Sequence, residues 1–320
     1  MPALLPIGTV LRSRYKINKI IYESMLVNVY YVMDLHFPEK GWVIREMQMV
    51  AVDSQDRARS IKRFNQEASQ ISSLSHPYIA TVVDYFTEGT NYYIVREFIH
   101  GNDLITLLKM NQKPFLEHEV VAWAVQIADA LSFLYSNKFS AIFFREFHMG
   151  NIMLSTSGSI KLIDLGLARV FQTASDATNL NRLGSMDYAS PEQFIGDGTF
   201  DSRSLVYSLG AFMYHALTSV NPASSPFELK PIHLLNPTLS NGVHDIIRKS
   251  TQIDPKLRYQ SISDMKRDLI SVIKSPRSSP VRTTDTKDKD NPISNWILGV
   301  LLIIIMGTTL FLIYYYFLRP

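Results

Sequence analysis

Residues 141–166 contain the side chains whose types and spacing are best suited to chemistry. An apolar run leads into Glu146, Asn151 follows, and a short hairpin then returns to Asp164. Carboxylates can accept protons, and carboxylate and amide oxygens are the ligands that hard metal ions prefer. The same side chains can instead serve only as local hydrogen-bond partners, and residue types alone leave both interpretations open.

The composition excludes several other classes of function. The chain has 320 residues, which is long enough for one large domain or two small ones with a sizeable core. Its 32 Lys and Arg nearly balance its 29 Asp and Glu, so the net charge of +3 gives no indication of a nucleic-acid partner. Because the chain has no cysteine, disulfides, thiolate metal sites and a Cys nucleophile are all excluded.

The elements that must position these residues change character near residue 100. Before it, alternating polar and apolar residues predict strands, as at residues 15–21. One amphipathic helix interrupts the strands, with Phe64 and Ile71 on its apolar face. Later periodicity is helical, and residues 204–218 are apolar enough to predict a helix buried on all sides. The pattern predicts an α+β fold of two lobes.

The C-terminal residues predict a membrane anchor. Residues 296–318 carry no charge and are long enough to cross about 30 Å of hydrocarbon as a helix, with Trp296 and three tyrosines near the two ends. Residues 275–295 are rich in Ser, Thr, Pro, Lys and Asp, which is typical of a flexible linker. Basic residues are more numerous before the span than after it, so we expect a single-pass protein whose N-terminal side is cytoplasmic. The N-terminus has no apolar segment typical of a signal peptide.

Short motifs in both lobes accompany the spacing of Arg145, Glu146, Asn151 and Asp164: FNQEA at 64–68, LSHPYI at 74–79, REFIHG at 96–101, YASPE at 188–192 and DPKLR at 254–258. In type and order they resemble the motifs of protein kinases, in particular bacterial membrane-anchored Ser/Thr kinases of the eukaryotic-like, Hanks type. The spacing of the four residues resembles the kinase pattern H-R-D-x-x-x-x-N followed by D-F-G, and REFIHG resembles the hinge between the lobes.

The resemblance covers roughly residues 15–273 and implies a two-lobed protein kinase fold, with a β-rich first lobe holding one helix and a helical second lobe. It also implies that Glu192 and Arg258 form an ion pair that holds the second lobe together. The expected divisions are the first lobe at 1–100, the second lobe at 101–274, the linker at 275–295 and the transmembrane helix at 296–318.

In kinases these motifs hold ATP and Mg²⁺ between the lobes, which implies a role for each matching residue here. Glu146 stands at the position of the catalytic base, and Asn151 and Asp164 stand at those of the metal ligands. Arg45 replaces the phosphate-binding lysine that pairs with Glu67. The residues that would line the nucleotide slot come from both lobes: Val29, Val43, Arg45, Arg96, Glu97, Phe98 and Met153.

Several positions depart from the residue types of the family. The glycines that let backbone N–H groups approach phosphates are replaced by Tyr22, Ser24 and Val27, which predicts an ordinary hairpin without phosphate binding. His148 stands where a lysine is usual. Leu205 replaces an aspartate that supports the catalytic loop, and leucine accepts no hydrogen bond.

Two arginines alter the slot itself. Arg45 keeps the positive charge, but its planar fork prefers a bidentate carboxylate, which favours a structural ion pair over phosphate binding. Arg96 occupies the gatekeeper position, where an apolar residue usually backs the slot. Because an unpaired buried charge is very costly, we expect Arg45 to pair with Glu67, and Arg96 to pair with Glu67 or Asp164.

These departures favour a pseudokinase: a kinase fold on the cytoplasmic face of the cell membrane that acts as a binding or regulatory scaffold. No cofactor is expected, and the expected partners are the membrane and a protein, such as an active kinase or another signalling protein, with no nucleic acid. The alternative is a weak or atypical Ser/Thr kinase that uses ATP and Mg²⁺ through Glu146, Asn151 and Asp164. A third hypothesis is a switch that senses nucleotide without turnover.

Overall fold

The structure is a computed structural model. It describes residues 4–24, 27–48, 54–137, 147–164, 186–193 and 201–274. The chain divides into two units, Met1–Pro276 and Arg277–Pro320, and every described residue belongs to the first. Glu146 and the predicted linker and membrane span lie outside the described residues. No helix within those described ranges is both long and apolar enough to cross a membrane. The transmembrane helix of the expected fold therefore stays a prediction.

Six antiparallel strands form the sheet of the first lobe, and the sequence predicted all of them except the short first strand. They are β1 (Val10–Leu11), β2 (Tyr15–Glu23), β3 (Val27–Asp34), β4 (Gly41–Gln48), β5 (Val82–Glu88) and β6 (Asn91–Glu97). Their order across the sheet is β1-β2-β3-β4-β6-β5. In β3 every second residue is buried, which is the period of a strand with one fully covered face.

Strand β4 carries charged residues on both of its faces. The carboxylate of Glu46 is buried, and its oxygens accept hydrogen bonds of 2.7–2.9 Å from two amides and two phenols: Asn28, Asn91, Tyr30 and Tyr93. Four donors satisfy the buried carboxylate, so the polar groups on this face of the sheet stabilise the fold and the carboxylate is not left to bind a ligand. Successive side chains of a strand point to opposite faces, so the neighbouring Arg45 lies on the other face.

One helix, α1 (Ser54–Ser72), packs against the sheet of the first lobe. Its predicted apolar face is confirmed, because Phe64 and Ile71 are buried. The ring of Phe64 lies 4.8 Å from that of Tyr92 and 6.1 Å from that of Tyr85, measured between centroids. Glu67 lies on the same helix and is half-buried, so α1 carries a carboxylate close to the sheet.

The second lobe is mainly helical. Its helices are α2 (Leu104–Asn111), α3 (Glu117–Ser136), α4 (Ser202–Thr218), α5 (Ile232–Leu235), α6 (Asn241–Ser250) and α7 (Ile262–Lys274), and a small antiparallel sheet contains β7 (Gly101–Asp103), β8 (Ile152–Ser155) and β9 (Ile160–Leu162). Helix α3 packs against α4 and α7. Helix α4 is buried on all sides from Ser204 to Leu217, as its apolar sequence predicted. The two-lobed α+β kinase architecture is therefore confirmed.

A buried ion pair holds the second lobe together, as expected. Arg258 donates from Nη1 to Oε1 of Glu192 at 2.7 Å and from Nη2 to Oε2 at 2.8 Å. The same guanidinium donates to the backbone carbonyls of Gln252 at 2.7 Å, Ile253 at 2.9 Å and Arg203 at 3.1 Å. One side chain thus joins the segment before α4 to the turn before α7.

The segment between α1 and β5 joins the first lobe to β9. The N–H of Ala80 donates to the carbonyl of Leu162 at 2.8 Å, and the N–H of Leu162 donates to the carbonyl of Tyr78 at 2.8 Å. These two backbone bonds fix the end of β9, and with it Asp164, against the first lobe.

Candidate functional site

Both lobes contribute predicted residues to one cleft. Across the sheet of the first lobe, Val29 of β3 lies opposite Arg45 of β4, and Val43 of β4 lies opposite Arg96 of β6. Asp164 follows β9 of the second lobe. The register of the sheet therefore presents two arginines to the carboxylate that the other lobe supplies.

Asp164 forms ion pairs with both arginines. Nε of Arg96 lies 3.4 Å from its Oδ1, and Nη1 of Arg45 lies 3.9 Å from its Oδ2. The side chains of Arg96, Arg45 and Asp164 are only 9%, 15% and 16% exposed. The predicted pairing of Arg96 with Asp164 is confirmed. The pairing of Arg45 with Asp164 was not foreseen, and that of Arg45 with Glu67 stays a prediction.

The electrostatics of this cluster follow from burial and from the ion pairs. Burial by itself would raise the pKa of Asp164, but the charges of Arg45 and Arg96 together hold it below its ordinary value. Burial lowers the pKa of the Arg96 guanidinium, and the charge of Asp164 offsets part of that effect. Because a guanidinium is not deprotonated in proteins, Arg96 stays charged. At neutral pH the cluster therefore holds one carboxylate between two positive charges.

The guanidinium of Arg96 also reaches the hinge. Its Nη1 donates to the backbone carbonyl of Glu97 at 3.4 Å. Arg96 thus lies between an acceptor of the first lobe and the Asp164 carboxylate of the second. A ligand in this slot would have to compete with a side chain that is nine-tenths buried.

A third ion pair between the lobes uses the side chain of Glu97 in the hinge. Nζ of Lys161, in β9, lies 2.8 Å from Oε1 of Glu97, which also accepts a hydrogen bond of 2.9 Å from the N–H of Thr81. Sequence reasoning did not single out Lys161 as a cleft residue. The available signal was its place between buried Ile160 and Leu162, which leaves an isolated charge directed away from the core of the second lobe.

The two predicted metal ligands are held near one another by the backbone. The N–H of Ile163, just before Asp164, donates to the carbonyl of Asn151 at 2.9 Å. Asp164 has a φ of 56°, in the left-handed region that non-glycine residues seldom adopt. Throughout the described ranges, no group of three or more His, Asp or Glu side chains is arranged to hold a metal ion. Asn151 and Asp164 are thus near one another, but the described ranges supply no group of carboxylates or histidines that would complete a metal site around them.

His148 stands where the family usually has lysine, and it is neutral at pH 7. Its Nδ1 accepts a hydrogen bond of 3.1 Å from the N–H of Gly150, which requires a lone pair on that nitrogen. Burial lowers the pKa of His148 further, although the negative charges of Asp187, Asp164 and Asp103 oppose that shift. This position consequently provides no fixed positive charge for phosphates.

The hairpin that replaces the glycine-rich loop uses its own backbone donors. The N–H of Ser24 donates to the carbonyl of Val27 at 3.0 Å, and the N–H of Val27 donates to Oγ of Ser24 at 3.1 Å. The same Oγ donates back to the carbonyl of Val27 at 2.8 Å. Tyr22 is 57% exposed at the end of β2. The N–H groups of Ser24 and Val27 therefore bond within the turn, where a phosphate cradle would need them directed at a ligand.

Several of the residues expected to form the walls of the slot are apolar. Val43 is buried, and Met153 packs against Ile99 and Ile163. The ring of Phe98 meets that of Tyr31 edge-on, with 4.9 Å between centroids. These walls match the apolar lining that a ligand slot needs. Arg96, which lies opposite Val43 in the sheet, adds a charged group to this expected apolar lining.

Comparison with known proteins agrees with this architecture. A sequence profile of the protein kinase domain family matches residues 38–282. The Ser/Thr-protein kinase PrkC of Bacillus subtilis is 29% identical over 295 residues, which cover 89% of this chain and 44% of the relative. The Ser/Thr-protein kinase PknB of Mycobacterium tuberculosis is 30% identical over 300 residues, 87% of this chain and 46% of the relative. The chain thus spans less than half the length of these relatives.

Solved structures show the same fold. The crystal structure of the Mycobacterium tuberculosis PknI kinase domain superposes with a TM-score of 0.66 and 20% sequence identity. The superposition covers 85% of this chain and 100% of that one. At this identity the likeness speaks for the fold alone.

Proposed function

Because this chain belongs to the protein kinase domain family, in its bacterial Hanks-type Ser/Thr branch, we propose that it is a pseudokinase that binds a partner protein and transfers no phosphoryl group. The observation that carries the proposal is the pairing of Asp164 with two buried guanidiniums. In this proposal the kinase fold serves as a scaffold, and its cleft is occupied by the protein's own side chains.

The charge balance at Asp164 does not fit a bound Mg²⁺. A divalent cation on this carboxylate would lie close to Arg45 and Arg96, and charges of like sign repel strongly where little water screens them. Arg96 is nine-tenths buried and also donates to the carbonyl of Glu97, so it has no direct way to turn into solvent. A metal would have to displace this guanidinium before it could bind.

Among the described residues, the cleft also lacks the groups that would bind the phosphates of a nucleotide in the absence of a metal. The Ser24 and Val27 N–H groups bond within their own turn, and His148 supplies no positive charge at neutral pH. Arg45 stands at the position of the family's phosphate-binding lysine, and here it forms an ion pair with Asp164. The support for phosphoryl transfer is thus missing at several independent positions.

A weak or atypical Ser/Thr kinase is the second candidate, and one observation favours it. The bond between Ile163 and Asn151 keeps the two metal-ligand positions, Asn151 and Asp164, beside one another. Glu146 also retains a carboxylate at the position of the base, although it lies outside the described residues. This candidate requires Arg96 to leave Asp164 when nucleotide enters.

A phosphotransfer assay separates these two candidates. Full-length chain incubated with Mg·ATP is expected to incorporate no phosphate into itself or into generic protein substrates, because Asp164 is neutralised by Arg45 and Arg96. The matched controls are Glu146→Ala and Asp164→Ala, which should give the same background as the wild type. Incorporation by the wild type that disappears in both variants would favour the atypical kinase.

The proposal includes a membrane anchor at residues 296–318, supported by their length, their lack of charge and the basic residues before them. A tag at the C-terminus is expected to be cleaved by protease added outside intact cells, while the kinase fold remains protected. A variant that ends at residue 295 should fractionate with soluble proteins. A protected tag, or a full-length chain that is itself soluble, would refute the anchor.

A further inference from the structure

Two acceptors lie close to the guanidinium of Arg96. Its Nη1 donates to the backbone carbonyl of Glu97 at 3.4 Å, and its Nε lies 3.4 Å from Oδ1 of Asp164. One acceptor belongs to the hinge and the other to the second lobe. A single planar group thus bridges the two sides of the cleft.

From this arrangement we infer that the cleft is a guanidinium-binding site and that Arg96 is its built-in ligand. The inference rests on the proposed function, since a nucleotide and this side chain would compete for the same slot. The slot then has more than a loss of nucleotide binding: it selects a planar cation over other ligands. The guanidinium then takes over the lobe-bridging role that a bound nucleotide would have.

A guanidinium fits this slot better than an ammonium for three reasons. Its donors lie in one plane, so one group can serve two acceptors on different sides of the cleft. It is more weakly hydrated than an ammonium, so its transfer into a buried site costs less. The one lysine described at this end of β9, Lys161, instead pairs with the side chain of Glu97 at 2.8 Å, outside the pairing with Asp164.

The neighbouring residues support the same assignment. Buried Val43 lies opposite Arg96 in the sheet, which provides an apolar wall for the side-chain stem. Asp164 is held with a φ of 56°, and the charges of Arg45 and Arg96 face it in that conformation. The backbone at Asp164 is thus fixed in place to receive a cation from the first lobe.

Truncation of Arg96 to alanine should leave an empty site whose selectivity can be measured with added cations. The Arg96→Ala change removes the atoms of an ethylguanidinium ion, so that ion should fill the space and restore both contacts. In thermal unfolding of the full-length chain, millimolar ethylguanidinium is expected to raise the Tm of Arg96→Ala. Ethylammonium, which lacks the planar fork, should require about tenfold more for the same shift, the difference that one charge-assisted hydrogen bond makes.

Matched variants distinguish a specific site from a general salt effect. The wild type should show no rise, because the Arg96 guanidinium already occupies its slot. Arg203→Ala removes an arginine that is about one-third exposed and lies outside the cleft, so it should not respond either. Adding Asp164→Ala to Arg96→Ala should abolish the selectivity for ethylguanidinium. An equal response to both cations, or no response in a folded Arg96→Ala variant, would overturn the inference.

Arginine modification gives a second readout that needs no truncated variant. With phenylglyoxal and mass spectrometry, Arg96 of the wild type should stay unmodified, while Arg59, whose side chain is 67% exposed, reacts. The Asp164→Ala variant should make Arg96 reactive. Modification of Arg96 at the rate of Arg59 in the wild type would contradict the inference. A wild-type Tm shift with Mg·ATP would instead overturn the proposed function, so the two failures are distinguishable.

Discussion

The Arg258→Ala variant is expected to lose about 3–5 kcal/mol of unfolding free energy, enough to unfold most of the second lobe near physiological temperature. The Arg258 side chain is 0% exposed, and it donates to Glu192 and to the backbone carbonyls of Gln252, Ile253 and Arg203. Its removal leaves the Glu192 carboxylate buried and without its cation, the costliest way to break such a pair. Denaturant unfolding followed by circular dichroism measures this loss.

The matched control is Arg203→Ala. Arg203 forms an ion pair of 2.6 Å with Asp201, but both side chains are about one-third exposed. Exposed pairs contribute about 0–1 kcal/mol, so this variant should unfold close to the wild type. Equal losses in the two variants would contradict the role assigned to Arg258.

Acid unfolding provides a further check of the same pair. Burial would raise the pKa of Glu192, but the hydrogen bonds from Arg258 and Ser204 outweigh it and hold the pKa at about 2. A carboxyl whose folded pKa lies below its ordinary value of 4.5 adds stability above that value and loses it as the pH falls towards about 2. Wild-type Tm should therefore fall in this window, and Glu192→Gln should show a shallower fall. Identical slopes would refute this assignment.

Joint replacement of Val43 by alanine and Arg96 by methionine is expected to create adenosine binding in a protein that otherwise has none. The methionine removes the guanidinium from the slot without leaving a large void, and the alanine widens the slot beside it. The hairpin at Ser24 and Val27 still bonds within itself, so only the base should gain contacts. A dissociation constant of about 1 mM is the expected order for a base held without its phosphates.

Calorimetric or NMR titration with adenosine tests this expectation, and ATP should bind the double variant no more tightly than adenosine. The Val43→Ala single variant is the matched control, because it widens the slot and leaves Arg96 in place. Binding by that control, or a folded double variant without binding, would show that Arg96 does not block the slot.

Much of the fold and part of the site follow from local features of the sequence. Strand and helix periods predicted the sheet of the first lobe and the buried helix α4. Once the resemblance had placed Arg96 at the gatekeeper position, the requirement that a buried guanidinium find a carboxylate predicted its pairing with Glu67 or Asp164, and the structure shows the pair with Asp164. The pair of Glu192 and Arg258 was implied instead by the resemblance to protein kinases.

Other contacts depend on distances between lobes that no local pattern encodes. Lys161 and Glu97 are far apart in the sequence, and each is an ordinary surface residue type until β9 approaches the hinge. The contact of Arg45 with Asp164 depends likewise on how β9 is joined to the segment before β5. The hydrogen bond from Arg96 to the carbonyl of Glu97 uses a backbone acceptor, which every residue possesses and no residue type can indicate.

The central claim is that the cleft holds its own guanidinium in place of a nucleotide, and titration of the wild-type, full-length chain with ATP in the presence of Mg²⁺ tests it most directly. Calorimetry is expected to show no saturable heat, and the Tm should not rise with Mg·ATP. Saturable, Mg²⁺-dependent binding by the wild type that disappears in Asp164→Ala would contradict the claim.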